Sequence, residues 1–257
     1  MLLKRILTAA VLLPLALGLL YLGGPYQIAL ALVFYVLINY EFISFSTSYN
    51  SSRQLQTILS LSMLPTGFLW NSWPGFCAGL FFATILIFIF EIISEENYQK
   101  NIPALSLCIS YTGIIGSLLV ISSTLFSGIS LIWLLGIVVV CDTAAYTVGS
   151  ICGGPKLAEN ISPKKTISGA VGAIIASAVA APYLGMYLGL EGPVSLFVFY
   201  GIFASVLAIF GDLFESALKR LFDTKDSGNI LPGHGGVLDR IDGFLFAIIV
   251  LFFAPFA

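Results

Sequence analysis

VSLFVFYGIFASVLAIF, residues 194–210, runs for seventeen positions without a charge; GDLFESALKR, residues 211–220, then brings two carboxylates and two cations within ten. As a helix the apolar part alone reaches about 25 Å, close to the ~30 Å of hydrocarbon in a bilayer. Its charged end therefore falls where a membrane helix meets water. The run is continuous rather than alternating, which argues against a β-barrel.

The rest of the chain repeats this pattern. Hydrophobic residues make up 58% of 257 positions and charged ones 9%, with a mean hydropathy of +1.02. Soluble domains hold ~45–50% apolar residues, so the expectation is an all-α, polytopic helical bundle in a membrane. Nine spans can be marked, near 5–22, 26–46, 55–70, 76–94, 102–123, 128–148, 168–189, 194–218 and 243–257. They form a single membrane domain over 1–257, with apolar spans to about residue 125 and the polar chemistry from about 126 onward. The first span follows Lys4 and Arg5 and lacks an A-x-A cleavage site, so it reads as an uncleaved helix.

The basic residues test this division. With the N-terminus in the cytoplasm, all eleven Lys and Arg residues fall on the cytoplasmic side, as the positive-inside rule requires. Two cytoplasmic loops then stand out, Gly149 to Ile167 and Leu218 to Asp242. Cys77, Cys108, Cys141 and Cys152 lack metal-ligand spacing and read as small helix residues. No Walker A or GxGxxG sequence is present, and nothing indicates nucleic-acid binding.

Asp212, Glu215, Ser216 and Lys219 recur at i, i+3, i+4 and i+7 and share one helix face. A carboxylate against hydrocarbon costs a few kcal/mol, so this face should meet protein, water or a cation rather than lipid. Asp239 and Asp242 flank Arg240 at i, i+3. Two readings fit that pair: a surface turn held by salt bridges, or hard oxygen ligands for Mg²⁺. Pro232-Gly233-His234-Gly235-Gly236 lies between the acidic groups. Its glycines let backbone N–H groups approach an anion, and His234 suits a phosphate hydrogen bond better than metal ligation. Lys164 and Lys165 precede Thr166 and Ser168 at a helix start, which suits a phosphate, although a lysine pair also anchors any membrane helix. Asp142 and Tyr146 stand one turn apart near the end of the sixth span; helix pairing accounts for Tyr146 better than for an intramembrane acid. Glu41 and Glu91 have no motif around them and read as interfacial.

SALKRLFDTKDSGNILPGHGGVLDRID, residues 216–242, closely resembles the signature of the phosphatidate cytidylyltransferases, the CDP-diacylglycerol synthase family. Asp142-Thr-Ala-Ala-Tyr146 and Ile161-Ser-Pro-Lys-Lys-Thr166 resemble the family's other block, so the likeness covers about residues 140–243. Three positions depart from the pattern: Ser150 where the family has Arg, Ser168 where it has Glu, and Gly243 where Ser is common.

The resemblance implies transfer of CMP from CTP to phosphatidate, giving CDP-diacylglycerol and pyrophosphate. It implies Asp212 and Asp239 as metal ligands supported by Asp242, with Mg²⁺ and K⁺ as the paired cations. Lys219, Arg220 and Lys225, with Lys164 and Lys165, would hold phosphates, beside Ser216, His234, Asp142 and Tyr146. A homodimer in a prokaryotic plasma membrane is implied as well. Two alternatives remain: a CTP-dependent transferase acting on a polyprenyl-type lipid, and a cation-coupled transporter. The acids lie at one membrane face and no inverted repeat is visible, which disfavours the transporter.

Overall fold

The structure, a computed structural model, describes residues 2–46, 85, 106–231, 233 and 235–255. The expected spans at 55–70 and 76–94 (Ile85 apart), Glu91 and His234 lie outside these residues. The described chain is mostly helical. Helix α1 covers Leu2–Leu22 and α2 Pro25–Ser46. Helix α3 covers Ser106–Leu125, with a π-helical segment at Ile109–Ile115. Helices α4, α5 and α6 cover Gly128–Cys152, Ile167–Tyr187 and Val194–Leu221. Helices α2 to α6 are each long and apolar enough to cross a bilayer, which makes this an integral membrane protein.

Three expectations need correction. The segment 149–167, read as a loop, carries an antiparallel hairpin of β1 (Lys156–Ala158) and β2 (Ser162–Thr166), with Lys156 opposite Thr166 and Ala158 opposite Ser162. The fold is therefore not purely helical. Helix α4 also runs past the expected end at 148 to Cys152. Gly153 and Gly154 end it, with φ of +59° and +102° that a residue with a Cβ rarely adopts. Finally, 243–257 is not one apolar helix. Helix α7 spans Leu238–Ala247 and tightens into a 3₁₀ turn at Ile248–Phe252. Pro255 lies just beyond; its ring cannot continue a helix and restricts the residue before it.

The chain forms two compact units. One gathers Met1–Leu13, Gly24–Leu125 and Asp226–Asp239. In it α2 and α3 meet along a polar seam. The Thr112 hydroxyl donates to Asn39 Oδ1 at 2.7 Å, and Gln27 Nε2 donates to the Ser123 carbonyl at 2.7 Å. Asn39 and Thr112 are fully buried, so each needs the other as a partner.

The second unit gathers Pro14–Gly23, Phe126–Lys225 and Arg240–Ala257. Here α4, α5 and α6 pack as antiparallel neighbours through small residues. A Cβ on Gly172 would stand 2.7 Å from the Val148 side chain, and one on Gly201 2.5 Å from Ala181 Cβ. Such residues let helix backbones approach closely where lipid tails offer no hydrophobic drive. On α6 the buried positions Gly201, Ala204, Ser205, Ala208 and Gly211 form one stripe at helical spacing. Trp133, fully buried on α4, donates its indole N–H to the Ala181 carbonyl at 3.0 Å. This antiparallel order brings the end of α4, the hairpin, the start of α5 and the end of α6 together.

Candidate active site

Thr166 is the N-cap of α5, where its Oγ1 accepts the Gly169 N–H at 3.1 Å. The cap fixes β2 against the helix start and so fixes Lys164 and Lys165. Gly169 sits where α5 crosses α4; a Cβ there would lie 2.6 Å from the Ala145 carbonyl oxygen and 3.2 Å from Gly149 Cα. The helices can touch only because both positions are glycine. Around this crossing opens a cavity of about 570 Å³. Its walls include Asp142 and Tyr146 from α4, Gly153 and Gly154, Lys156, Lys164 and Lys165 from the hairpin, and Asp212 from α6.

Lys165 Nζ lies 2.5 Å from Asp212 Oδ2, and Lys219 Nζ lies 2.5 Å from Glu215 Oε2 one turn away on α6. Asp212 is a third exposed, whereas Glu215 is fully buried. Asp242, on the first part of α7, is half-buried. Burial raises its pKa well above the usual carboxylate value, and the negative charges of Asp212 and Glu215 push it further up. Gly211 explains how α7 comes this near, since a Cβ there would stand 2.6 Å from the Asp242 carbonyl oxygen. Thus Asp142, Tyr146, Lys164, Lys165 and Asp212 share one cavity, and Asp212, Glu215, Lys219 and Asp242 form an adjoining charge cluster.

Other expected residues lie around this centre. Arg220 donates from Nε to the Ile161 carbonyl and from Nη1 to the Thr224 carbonyl, each at 3.4 Å, tying the hairpin tip to the end of α6. Ser216 is half-buried on α6 and Lys225 is exposed. Two departures from the family pattern also have places. Ser168 Oγ donates to the Gly153 carbonyl, bracing the glycine turn, and Ser150 Oγ donates to the Thr147 carbonyl at 2.9 Å. Lys156 was not singled out from sequence, because a lone exposed lysine carries no motif.

Asp239 belongs to the other unit, in a loop closed on itself. Its Oδ2 accepts the N–H groups of Ser227 and Gly236, each at 3.0 Å. Glu41, which has no motif around it in the sequence, is 1% exposed within α2. Its Oε1 accepts the Val237 N–H at 2.9 Å, and Oε2 accepts the Leu238 N–H at 2.8 Å and the Ser227 hydroxyl at 3.3 Å.

Among the described residues, no three Asp, Glu, Cys or His side chains stand close enough together to hold a metal ion. The chemistry of Asp212 and Asp242 nonetheless fits Mg²⁺. Both offer hard oxygens, and the crowded negative charge at Asp242 favours a cation over the bare carboxylate. Asp239, the other expected ligand, accepts two loop amides through Oδ2.

Comparison with known proteins adds to this picture. The chain matches the cytidylyltransferase family over residues 3–256. A phosphatidate cytidylyltransferase of Bacillus subtilis (strain 168) is 48% identical over 112 residues, which are 44% of this chain and 42% of that relative. One of Helicobacter pylori (strain ATCC 700392 / 26695) is 41% identical over 126 residues, 49% of this chain and 47% of the relative. Another, of Helicobacter pylori (strain J99 / ATCC 700824), is 34% identical over 201 residues, 78% of this chain and 72% of the relative. The first two matches thus span about half the length of those relatives or less, while the third spans most of it. With a family match running almost end to end, the chain belongs to the cytidylyltransferase family.

Proposed function

We propose that this chain transfers CMP from CTP to phosphatidate, giving CDP-diacylglycerol and pyrophosphate. The observation that carries the reading is the Lys165–Asp212 pair in a cavity that also presents Lys156 and Lys164. That site lies at the charged ends of membrane helices, where a lipid can arrive laterally and a nucleotide from water. The names of the relatives support the substrate pair.

In this reading an oxygen of the phosphatidate phosphate attacks the α-phosphorus of CTP. The bond from that phosphorus to the bridging oxygen breaks, and pyrophosphate leaves with the electron pair. A phosphate monoester is largely doubly ionised near neutral pH, since its second pKa is ~6, so no side chain need remove a proton. Catalysis then rests on positioning and charge neutralisation. Lys165 and Lys164 hold phosphate oxygens, and Lys156 adds charge to the cavity wall. Glu215 holds Lys219 in place. Asp212 and Asp242 are the proposed ligands of Mg²⁺, with K⁺ as the second cation. Bound there, they would supply further neutralisation of the triphosphate. His234 and Lys225 are proposed as phosphate contacts, and Asp142 and Tyr146 as the wall of the substrate cavity.

The same reading places the N-terminus and this site in the cytoplasm of a prokaryotic cell, with nine spans in all and two copies forming a dimer. The one-sided distribution of Lys and Arg supports the orientation. Reporter fusions at the loops and crosslinking in membranes test these points.

The activity test uses membranes containing the chain, labelled CTP and phosphatidate, with Mg²⁺ or EDTA. Label is expected in lipid, to disappear with EDTA, and to return with excess Mg²⁺. Label that stays in water, or that enters lipid equally with Asp212→Asn, overturns the reading. Transfer to a polyprenyl phosphate in preference to phosphatidate would replace the lipid substrate.

A further inference from the structure

Glu41 is a carboxylate in the membrane helix α2, far in sequence from every residue of the proposed chemistry, and it is fully enclosed. Its partners are neither cations nor water-facing groups. They are the Val237 and Leu238 backbone N–H groups and the Ser227 hydroxyl. Val237 and Leu238 lead into α7, whose first N–H groups have no partners within the helix. The next one, on Asp239, donates to Ser227 Oγ at 3.3 Å. The Asp239 carboxylate reaches back to the Gly236 N–H three residues earlier, one half of a capping box. So the first turn of α7 is capped by two carboxylates and one bridging hydroxyl, and the outermost of the three comes from α2.

The loop glycines are shaped to this carboxylate. A Cβ on Gly236 would fall 1.9 Å from Ser227 Oγ and 2.7 Å from Glu41 Oε2. One on Gly228 would fall 2.8 Å from Glu41 Oε1. No side chain fits at either position while Glu41 holds its hydrogen bonds. Burying a carboxylate is costly unless it is fully satisfied, and a neutral residue at this position would carry no such cost. A device of this kind needs a purpose at its other end. The segment it grips is the Asp226–Asp239 loop, which continues without a break into the turn of α7 bearing Asp242.

We propose that Glu41 is a positioning residue for the catalytic loop. It clamps Ser227 and the N-terminus of α7, thereby holding in one register the Asp226–Asp239 loop, with Asp239 at its end. Part of this rests on the activity proposed above, but the clamp itself can be measured without any substrate.

The experiment compares the full-length wild type with Glu41→Gln, Glu41→Asp and Gly236→Ala in detergent, by amide hydrogen exchange and by CMP-transfer kinetics. Glutamine keeps the shape but turns an NH₂ donor toward an N–H donor. Loss of one hydrogen bond to a charged group predicts a kcat lower by about tenfold or more. KM for CTP should stay within about threefold, as expected when presentation rather than binding is impaired. Backbone amides from Ser227 to Asp239 should exchange about tenfold faster while α4–α6 keep their protection. Gly236→Ala should reproduce this pattern from the other side of the contact, and Glu41→Asp should recover part of the kcat. Unchanged loop exchange in both Glu41→Gln and Gly236→Ala overturns the clamp. So does protection lost evenly along the chain, which would make Glu41 a general packing residue. If the wild type exchanges as expected but transfers no CMP, the activity reading fails, and the exchange data still decide the clamp.

Discussion

Lys165→Ala separates a residue that serves chemistry from one that serves folding. In the structure its ammonium lies 2.5 Å from Asp212, with the two side chains 25% and 35% exposed. The Lys165 nitrogen is itself enclosed, but Asp212 is open to water, which screens the pair toward the ~0–1 kcal/mol of exposed pairs. Removing Lys165 should therefore lower the melting temperature only slightly. The same ammonium faces a cavity built at glycines and next to a helix N-terminus, where a phosphate would gain a charge-assisted hydrogen bond. That bond contributes about 1.5–3 kcal/mol, so its loss should reduce kcat/KM by about 10- to 150-fold. Lys165→Arg should restore part of the rate, and Asp212→Asn combined with Lys165→Ala should lose less than the two single losses multiplied. The assay is steady-state CMP transfer in detergent beside thermal unfolding of the same samples. A kcat/KM within threefold of wild type, or a fall in stability as steep as the fall in activity, would refute the assignment.

Gly169→Ala should destabilise the protein by about 1–3 kcal/mol, because the new Cβ meets backbone on two sides, at Ala145 and Gly149. Gly18→Ala, with nothing within 4 Å of its Cβ, is the control, and unfolding of the two in one detergent checks the difference. The raised pKa of Asp242 gives a pH signature. Folding favours its protonated form, so the associated stability is complete below about pH 4 and is lost as pH rises through the folded-state value. In EDTA, the melting temperature of the wild type should decline over that rise, and Asp242→Asn should remove the decline and be the more stable form at neutral pH. A variant less stable than wild type at neutral pH would show that the ionised carboxylate is already well matched by positive charge.

Much of the second unit could be read in advance because its signals are local. The spacing of Asp212, Glu215 and Lys219 follows one helix face, and the structure pairs Glu215 with Lys219 as i, i+4 neighbours. The apolar runs at 128–148, 168–189 and 194–218 gave helices whose ends shifted by a few residues. What could not be read depends on pairing across the chain. The hairpin contains Pro163 and three lysines, a composition that looks like loop, and it forms because Thr166 and Ser168 tie its end to α5 and to the Gly153 turn. The Lys165–Asp212 contact depends on α5 and α6 being antiparallel neighbours, which periodicity does not reveal. Glu41 depends most on such pairing. Its hydroxyl and amide partners lie 186 to 197 residues away, so the local sequence showed only an acid near the end of an apolar run.

Asp212 and Glu41 show two ways for a membrane protein to carry a carboxylate, with different consequences. Both must offset the loss of water around a charge. Glu41 does so with backbone N–H groups and one hydroxyl, held in a loop with no room for another atom. Those donors are neutral and fixed, so they can neither follow a substrate nor leave. Such a carboxylate is suited to holding backbone in register and little else. Asp212 is matched instead by the ammonium of Lys165, at the end of a flexible stem in an open cavity. That cation can exchange a carboxylate for a phosphate oxygen at small cost, and Asp212 can exchange the ammonium for a metal ion. The partially exposed pair is thus the reactive one and the enclosed acid the structural one, although both stood out in the sequence as charges in apolar helices. It follows that conservative replacements should diverge at the two sites. Glutamine at Glu41 should loosen the loop, whereas asparagine at Asp212 should leave the fold intact and abolish transfer.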